Sequence, residues 1–242
     1  MPRFFVDAPL GPGVKLELPP VPAHHAVRVL RLVKGNEVVL FNGQGGEYLA
    51  VLEWVDRDGV RARCVEWHDV ERESPLDIRL AQGISSGERM DYTLQKAVEM
   101  GVREIQPLAM RRSVVKLNQE RAAKRVAHWR GIVMSACEQC GRNFLPPIAA
   151  PLDIPQWLAS APQGLKLFLS PDADTTLSNL PIPEEPVWLV AGPEGGFEPE
   201  EAKLITDFGF VPLRLGPRIL RTETAALAAV AAMQALWGDY SR

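Results

Sequence analysis

Val187–Ala191 (VWLVA) runs directly into Gly192–Phe197 (GPEGGF), and further along Val211–Leu215 (VPLRL) runs into Gly216–Thr224 (GPRILRTET). Each pair joins a short apolar run, of the kind expected for a strand covered on both faces, to a glycine-containing loop. Working outward, Ile78–Ile84, Glu104–Leu108 and Leu165–Leu169 are further strand candidates. Helical segments lie between them. Met90–Met100 places Met90, Leu94, Ala97 and Val98 on one side and ends at Gly101. Glu120–Cys140 carries Val126, Trp129, Val133, Ala136 and Cys140 on one stripe, and Pro199–Phe208 opens with proline at its first position. Strands alternating with helices predict a mostly parallel sheet with helices on both faces. Ligands of such sheets bind where loops leave the carboxyl ends of strands, and the two glycine loops are expected at neighbouring strand ends.

The final helix, Thr222 to Trp237, is expected to be capped by Thr222, with Glu223 suiting the first turn. It is apolar nearly all round and rich in alanine, so it needs burial on more than one side. The sheet supplies one cover; a second copy of the chain, in a homodimer, supplies the other.

The first 72 residues read differently. Glu37–Phe41, Tyr48–Val55 and Val60–Trp67 alternate as strands, joined by the turn-forming NGQGG of Asn42–Gly46 and DRDG of Asp56–Gly59. His24–Val33 is expected as one short helix. Strands with tight turns and one helix suggest a small barrel. The charged stretch Asp69–Pro75 closes it, giving domains 1–72 and 73–242.

Composition sets the outer bounds. The 242 residues are 46% hydrophobic and 24% charged, without low-complexity tracts. No secretory signal is legible, and Ala225–Trp237 is too short to span a bilayer, so no membrane partner is expected. Three cysteines make no disulfide framework, which points to a reducing cytoplasm. The net charge of −3 argues against a globally basic protein, yet from Arg103 to Arg142 nine Lys or Arg face only Glu104, Glu120 and Glu138. Such a run is either a solvated helix face or a phosphate-contacting patch.

The loops narrow the ligand. GPEGGF lacks the Lys-Ser/Thr of a phosphate-cradling loop and the spacing of the dinucleotide fingerprint, and Glu194 within it repels phosphate. Glycine, proline and one acid suit a neutral or cationic ligand, such as a nucleoside sulfonium. Cys137 and Cys140 form a CxxC without a second ligand pair, so no metal is expected and packing is the simpler role. His24 and His25 suit capping or RNA contact. Trp54 and Trp67 are expected in the core, with base stacking as the alternative.

The segments HHAVRVLRLVKGNEVVLFNGQGGEY (His24–Tyr48), RMDYTLQKAVEMGVREIQPL (Arg89–Leu108), ACEQCGRNFLPPI (Ala136–Ile148), VAGPEGGFEPEE (Val190–Glu201) and LGPRILRTETAAL (Leu215–Leu227) resemble the RsmE family. Its members are SPOUT-class (trefoil-knotted) 16S ribosomal RNA uridine-N3 methyltransferases. The resemblance implies an N-terminal PUA-like β-barrel, a knotted α/β catalytic domain, a homodimer, and 16S rRNA within the small ribosomal subunit as partner. It also implies S-adenosylmethionine as cofactor. The residues implied to hold it are Leu169, Ser170, Gly192, Glu194, Gly195, Gly196, Leu215, Gly216, Ile219, Leu220, Arg221 and Thr222. RNA contacts are expected from Arg3, Arg28 and Arg31 and from Arg111, Arg112, Lys116, Arg121, Lys124 and Arg125. Charge builds on uracil oxygens when N3 ionises, so a nearby arginine is useful; Arg142 and Arg221 are the two candidates. Their structural alternatives are a phosphate contact for Arg142 and a salt bridge to Glu223 or Glu194 for Arg221. Glu194 is assigned to binding or loop structure, since a carboxylate on the sulfonium favours the ground state. Another SPOUT enzyme acting at a ribose 2′-hydroxyl, or a non-catalytic RNA-binding assembly factor, remain as alternatives.

Overall fold

A computed structural model of the chain describes residues 1–114, 119–160 and 162–240. It divides into two compact units, Met1–Glu73 with Cys137–Leu145, and Ser74–Ala136 with Pro146–Arg242. Residues 137–145, expected in the second domain, thus group with the first.

The first unit holds β1 (Arg3–Phe5), β2 (Lys15–Glu17), α1 (Pro20–His24), β3 (Glu37–Phe41), β4 (Glu47–Asp56) and β5 (Gly59–His68). Their hydrogen-bonded order is β1-β3-β4-β5-β2. β1 runs parallel to β3, whereas β3, β4 and β5 form an antiparallel meander closed by the two predicted turns. Alternation in β5 buries Val60, Ala62 and Cys64 against Phe4, Leu18, Val38, Leu40 and Leu52. The three-residue strands β1 and β2 were too short to show a period. The single helix expected over His24–Val33 is instead α1 followed by one π-helical turn, His25–Val29. The chain then reverses through Arg31, at φ +52° the one non-glycine residue with positive φ among the described residues. Trp54 and Trp67 are not core residues: they are 37% and 46% exposed, and Trp54 carries the Arg61 guanidinium 5.3 Å from its ring centroid.

The second unit is a five-stranded parallel sheet of β6 (Ile78–Gly83), β7 (Glu104–Leu108), β8 (Leu165–Leu169), β9 (Val187–Ala191) and β10 (Val211–Leu213), in the order β10-β8-β9-β6-β7. All five residues of β9 are buried, as a continuous apolar run requires. Helices cover both faces. α2 (Gly87–Glu99) and α6 (Thr222–Leu236) pack together on one, α6 also meeting β9 and β6. On the other, α4 (Ile154–Ala159) and α5 (Pro199–Asp207) build a cluster of Ile154, Trp157, Ile205 and Phe210 over Phe168, Trp188 and Val190. α3 (Gln119–Cys140) begins in this unit and ends in the first. Helix α4 went unread because six residues are too few to display a 3.6-residue period.

Strand order corrects one expectation. β9 and β10 are not neighbours; β8 lies between them, so the loop after β8 joins the two glycine loops at one edge. The chain leaves β10 at the sheet edge, yet α6 packs over β9 and β6. Residues 214–221 therefore cross the strand ends.

Candidate functional site

Three loops converge where β8, β9 and β10 end, enclosing a cavity of about 550 Å³ within the second unit, a size usual for small-molecule sites. Gly196 at φ +69° and Gly216 at φ +75° let two of these loops turn back on themselves. Apolar walls come from Leu169, Leu213, Leu215 and Leu220, and from Phe168 and Phe197, whose rings meet edge to face at 5.6 Å. Ile219 lines the same cavity while 89% exposed, a large apolar side chain left in water at its rim.

Glu194 anchors its loop to the start of α2. Its Oε1 accepts from the Ser86 backbone N–H and hydroxyl, both at 2.8 Å, and from Arg89 at 3.4 Å. Burial acts to raise this carboxyl's pKa, but the bonds from Ser86, its own backbone N–H and Arg89 prevail and hold it below the usual carboxylate value. Arg89 also lies 4.0 Å from Glu223. The second oxygens of both acids, Glu194 Oε2 and Glu223 Oε2, are buried without a hydrogen-bond partner among the described residues. Main-chain groups from three loops, apolar walls and two unused anionic oxygens fit an adenosyl ligand that carries hydroxyls and a positive charge.

All twelve residues expected around the cofactor line this cavity. Thr222 is not the helix cap: Arg221 holds that position, and the Thr222 hydroxyl instead donates to Gly192 O, joining the two glycine loops. Arg221 is exposed at the cavity; neither Glu194 nor Glu223 pairs with it, since both acids face Arg89. Arg89, Asp172, Arg218 and Phe168 line the cavity and escaped the sequence reading. Arg89 and Phe168 come from a helix and a strand outside the glycine loops, Asp172 from the loop just past β8 in LSPDAD, and Arg218 from within GPRILRTET itself.

Arg142 requires correction. It is absent from the cavity lining and is 3% exposed, its Nε 2.7 Å from Glu73 Oε1, with Glu73 also engaging Nη2. A guanidinium so buried and neutralised is part of the first unit's core. Arg3 also differs from expectation. It pairs with Glu47, donates to Asn143 Oδ1 at 2.6 Å and lies over the Phe41 ring, leaving its side chain 11% exposed.

Among the other expected RNA contacts, Arg28, Arg31, Arg121 and Lys124 are exposed and Arg125 is half-buried. Arg111 lies 3.5 Å from Glu200; Arg112 pairs with Glu198 at 2.9 Å, donates to Gly195 O and lines the cavity. Lys116 lies outside the described residues. Cys137 and Cys140 belong to no group of potential metal ligands among the described residues, and burial pushes the Cys137 thiol up to about 12.

The RNA methyltransferase domain family model matches residues 72–234, and the RNA methyltransferase PUA domain model matches residues 23–63. Fold and cavity thus define an RNA methyltransferase of the α/β class, with a small RNA-binding-type β domain attached. The chain is 35% identical over 242 residues to the ribosomal RNA small subunit methyltransferase E of Buchnera aphidicola subsp. Schizaphis graminum, covering 100% of this chain and 98% of that one. It is similar to a methyltransferase from Legionella pneumophila solved in complex with the bound cofactor SAM (TM-score 0.95, 44% identity, 98% of each chain). It is also similar to the ribosomal RNA small subunit methyltransferase E of Neisseria gonorrhoeae bound to S-adenosyl methionine (TM-score 0.93, 42% identity, 99% of each chain). The chain belongs to the ribosomal RNA small subunit methyltransferase E family.

Proposed function

We propose that this protein transfers a methyl group from S-adenosylmethionine to N3 of a uridine in 16S rRNA of the small ribosomal subunit, working as a homodimer in the cytoplasm. The observation carrying the proposal is the convergence of all twelve expected cofactor residues on one cavity.

When bound, the cofactor supplies an electrophilic methyl on a positively charged sulfur. N3 lies on the pairing edge of uracil, so the base must be unpaired or flipped out, and its proton must leave. Phe168, Leu215 and Leu220 exclude water, which favours a step in which opposite charges disappear. Arg221, which lines the cavity and forms no ion pair with Glu194 or Glu223, stabilises charge on a uracil oxygen in this reading. Glu194 holds its loop against α2 and offers Oε2 to the ligand's polar groups. Support for the dimer comes from α6, whose second side is open: Ala225, Ala228 and Ala232 are half-buried and Leu236 is 54% exposed. Support for a reducing compartment comes from the free Cys64, Cys137 and Cys140; among the described residues no helix is long and apolar enough to cross a membrane.

Calorimetry with S-adenosylmethionine and methyl transfer to 16S rRNA test the proposal together. Arg221→Ala should lower turnover about a hundredfold, in line with loss of one charge-stabilising group. Absence of cofactor binding, or undiminished product on RNA already methylated at N3 of the target uridine, refutes it.

A further inference from the structure

Gln82 near the end of β6 is fully buried, lies outside the cavity lining, and belongs to neither glycine motif. Its Nε2 points at three oxygens: Gly83 O at 3.0 Å, Thr222 Oγ1 at 3.1 Å and Gly192 O at 3.4 Å. The Thr222 hydroxyl directs its own proton to Gly192 O and so acts as an acceptor toward Gln82. All three atoms facing the amide, two carbonyl oxygens and that hydroxyl oxygen, are acceptors toward it, which orients it with nitrogen inward. Its Oε1 is left buried without a partner among the described residues. Burying an unpaired acceptor costs free energy, and the donor end of the same amide is what offsets it. The contact is also close at the backbone: a Cβ on Gly83 would sit 2.5 Å from Pro193 N and 2.8 Å from Gly192 C.

We infer that Gln82 is a positioning residue for the cofactor cavity, clamping the end of β6, the Gly192 loop and the first turn of α6 at one spacing. Main-chain groups on both glycine loops then meet the ligand already in place, so less ordering remains to be done on binding. The inference rests on the cofactor site proposed above.

Gln82→Glu provides a test by charge. Protonated, the carboxyl keeps one donor; ionised, it turns oxygen toward two carbonyls and forces the loops apart. Titration calorimetry with S-adenosylmethionine should find this variant within about threefold of the wild type at about pH 6 and weaker by about tenfold or more at about pH 9. Gln82→Met, similar in size but without a donor, should be about tenfold weaker at both. If either variant fails to fold by circular dichroism, Gln82→Asn, which keeps the amide but is one methylene too short to reach both loops, takes its place, with the same loss expected. Wild-type affinity in the folded variants at both pH values overturns the clamp and leaves the cofactor site standing. Failure of the wild type to bind overturns both.

Discussion

At the scale of single residues, charge compensation separates structural from chemical arginines. Arg142, which follows Glu138–Gly141, and Arg221, inside the second glycine loop, were both candidates, yet only Arg221 lines the cavity. Arg142 and Glu73 have side chains 3% and 6% exposed, so removing one strands the other as a buried charge. Arg142→Ala should destabilise the protein by about 3–5 kcal/mol in denaturant unfolding while cofactor affinity stays within about twofold. A large loss of affinity with unchanged stability contradicts this. Glu194 makes a pH-dependent contribution. Its pKa is lower folded than its ordinary 4.5, so its stabilisation is complete above that value and is lost as pH falls through the folded pKa. Unfolding free energies of wild type and Glu194→Gln should differ by a constant amount near neutrality and converge in acid below 4.5. A gap that widens on acidification counts against the assigned bonds.

Among the elements, α6 shows most plainly how a helix is shared between jobs. Ala226, Ala229, Val230 and Met233 are buried on the side that meets α2, β9 and β6. Gln234, a polar residue on this helix, is fully buried too, accepting from Ser74 Oγ at 2.7 Å and donating to Met100 O at 2.9 Å. The opposite side ends in Leu236, more than half exposed. Placing a charge there, as in Leu236→Asp, should convert a sedimenting dimer to monomer with little change in helix content, because burying an unpaired carboxylate in an apolar interface is costly. Wild type that sediments as a monomer removes the basis for the prediction. Elements with a full period or a continuous apolar run, such as β9, α2 and α6, were legible. The brief β1, β2 and α4 were not, having too few residues for a pattern to repeat.

For the whole molecule, net charge says less than its distribution. The chain carries −3, while its basic run is partly neutralised: Arg111, Arg112 and Lys124 each lie beside a glutamate. Phosphate contacts release counterions, so the logarithm of RNA affinity should fall linearly with the logarithm of salt concentration. Replacing Arg121, Lys124 and Arg125 together by alanine should reduce that slope by about 2 and leave cofactor binding unchanged. An unaltered slope in filter-binding titrations assigns the RNA contacts elsewhere, Arg28 and Arg31 being exposed in the first unit.

The amino-acid order alone determined the alternation of strands and helices, the parallel sheet, the β-rich beginning and the two glycine loops. Each is encoded locally, in periods of 2 or 3.6 residues and in turn chemistry. Only the tertiary structure decided that β8 separates β9 from β10, that Glu73 neutralises Arg142, and that Gln82 reaches both loops. Those relations join residues far apart in the chain, where no local period records which side chain meets which. They were settled by what each buried donor and charge had to find once water was excluded.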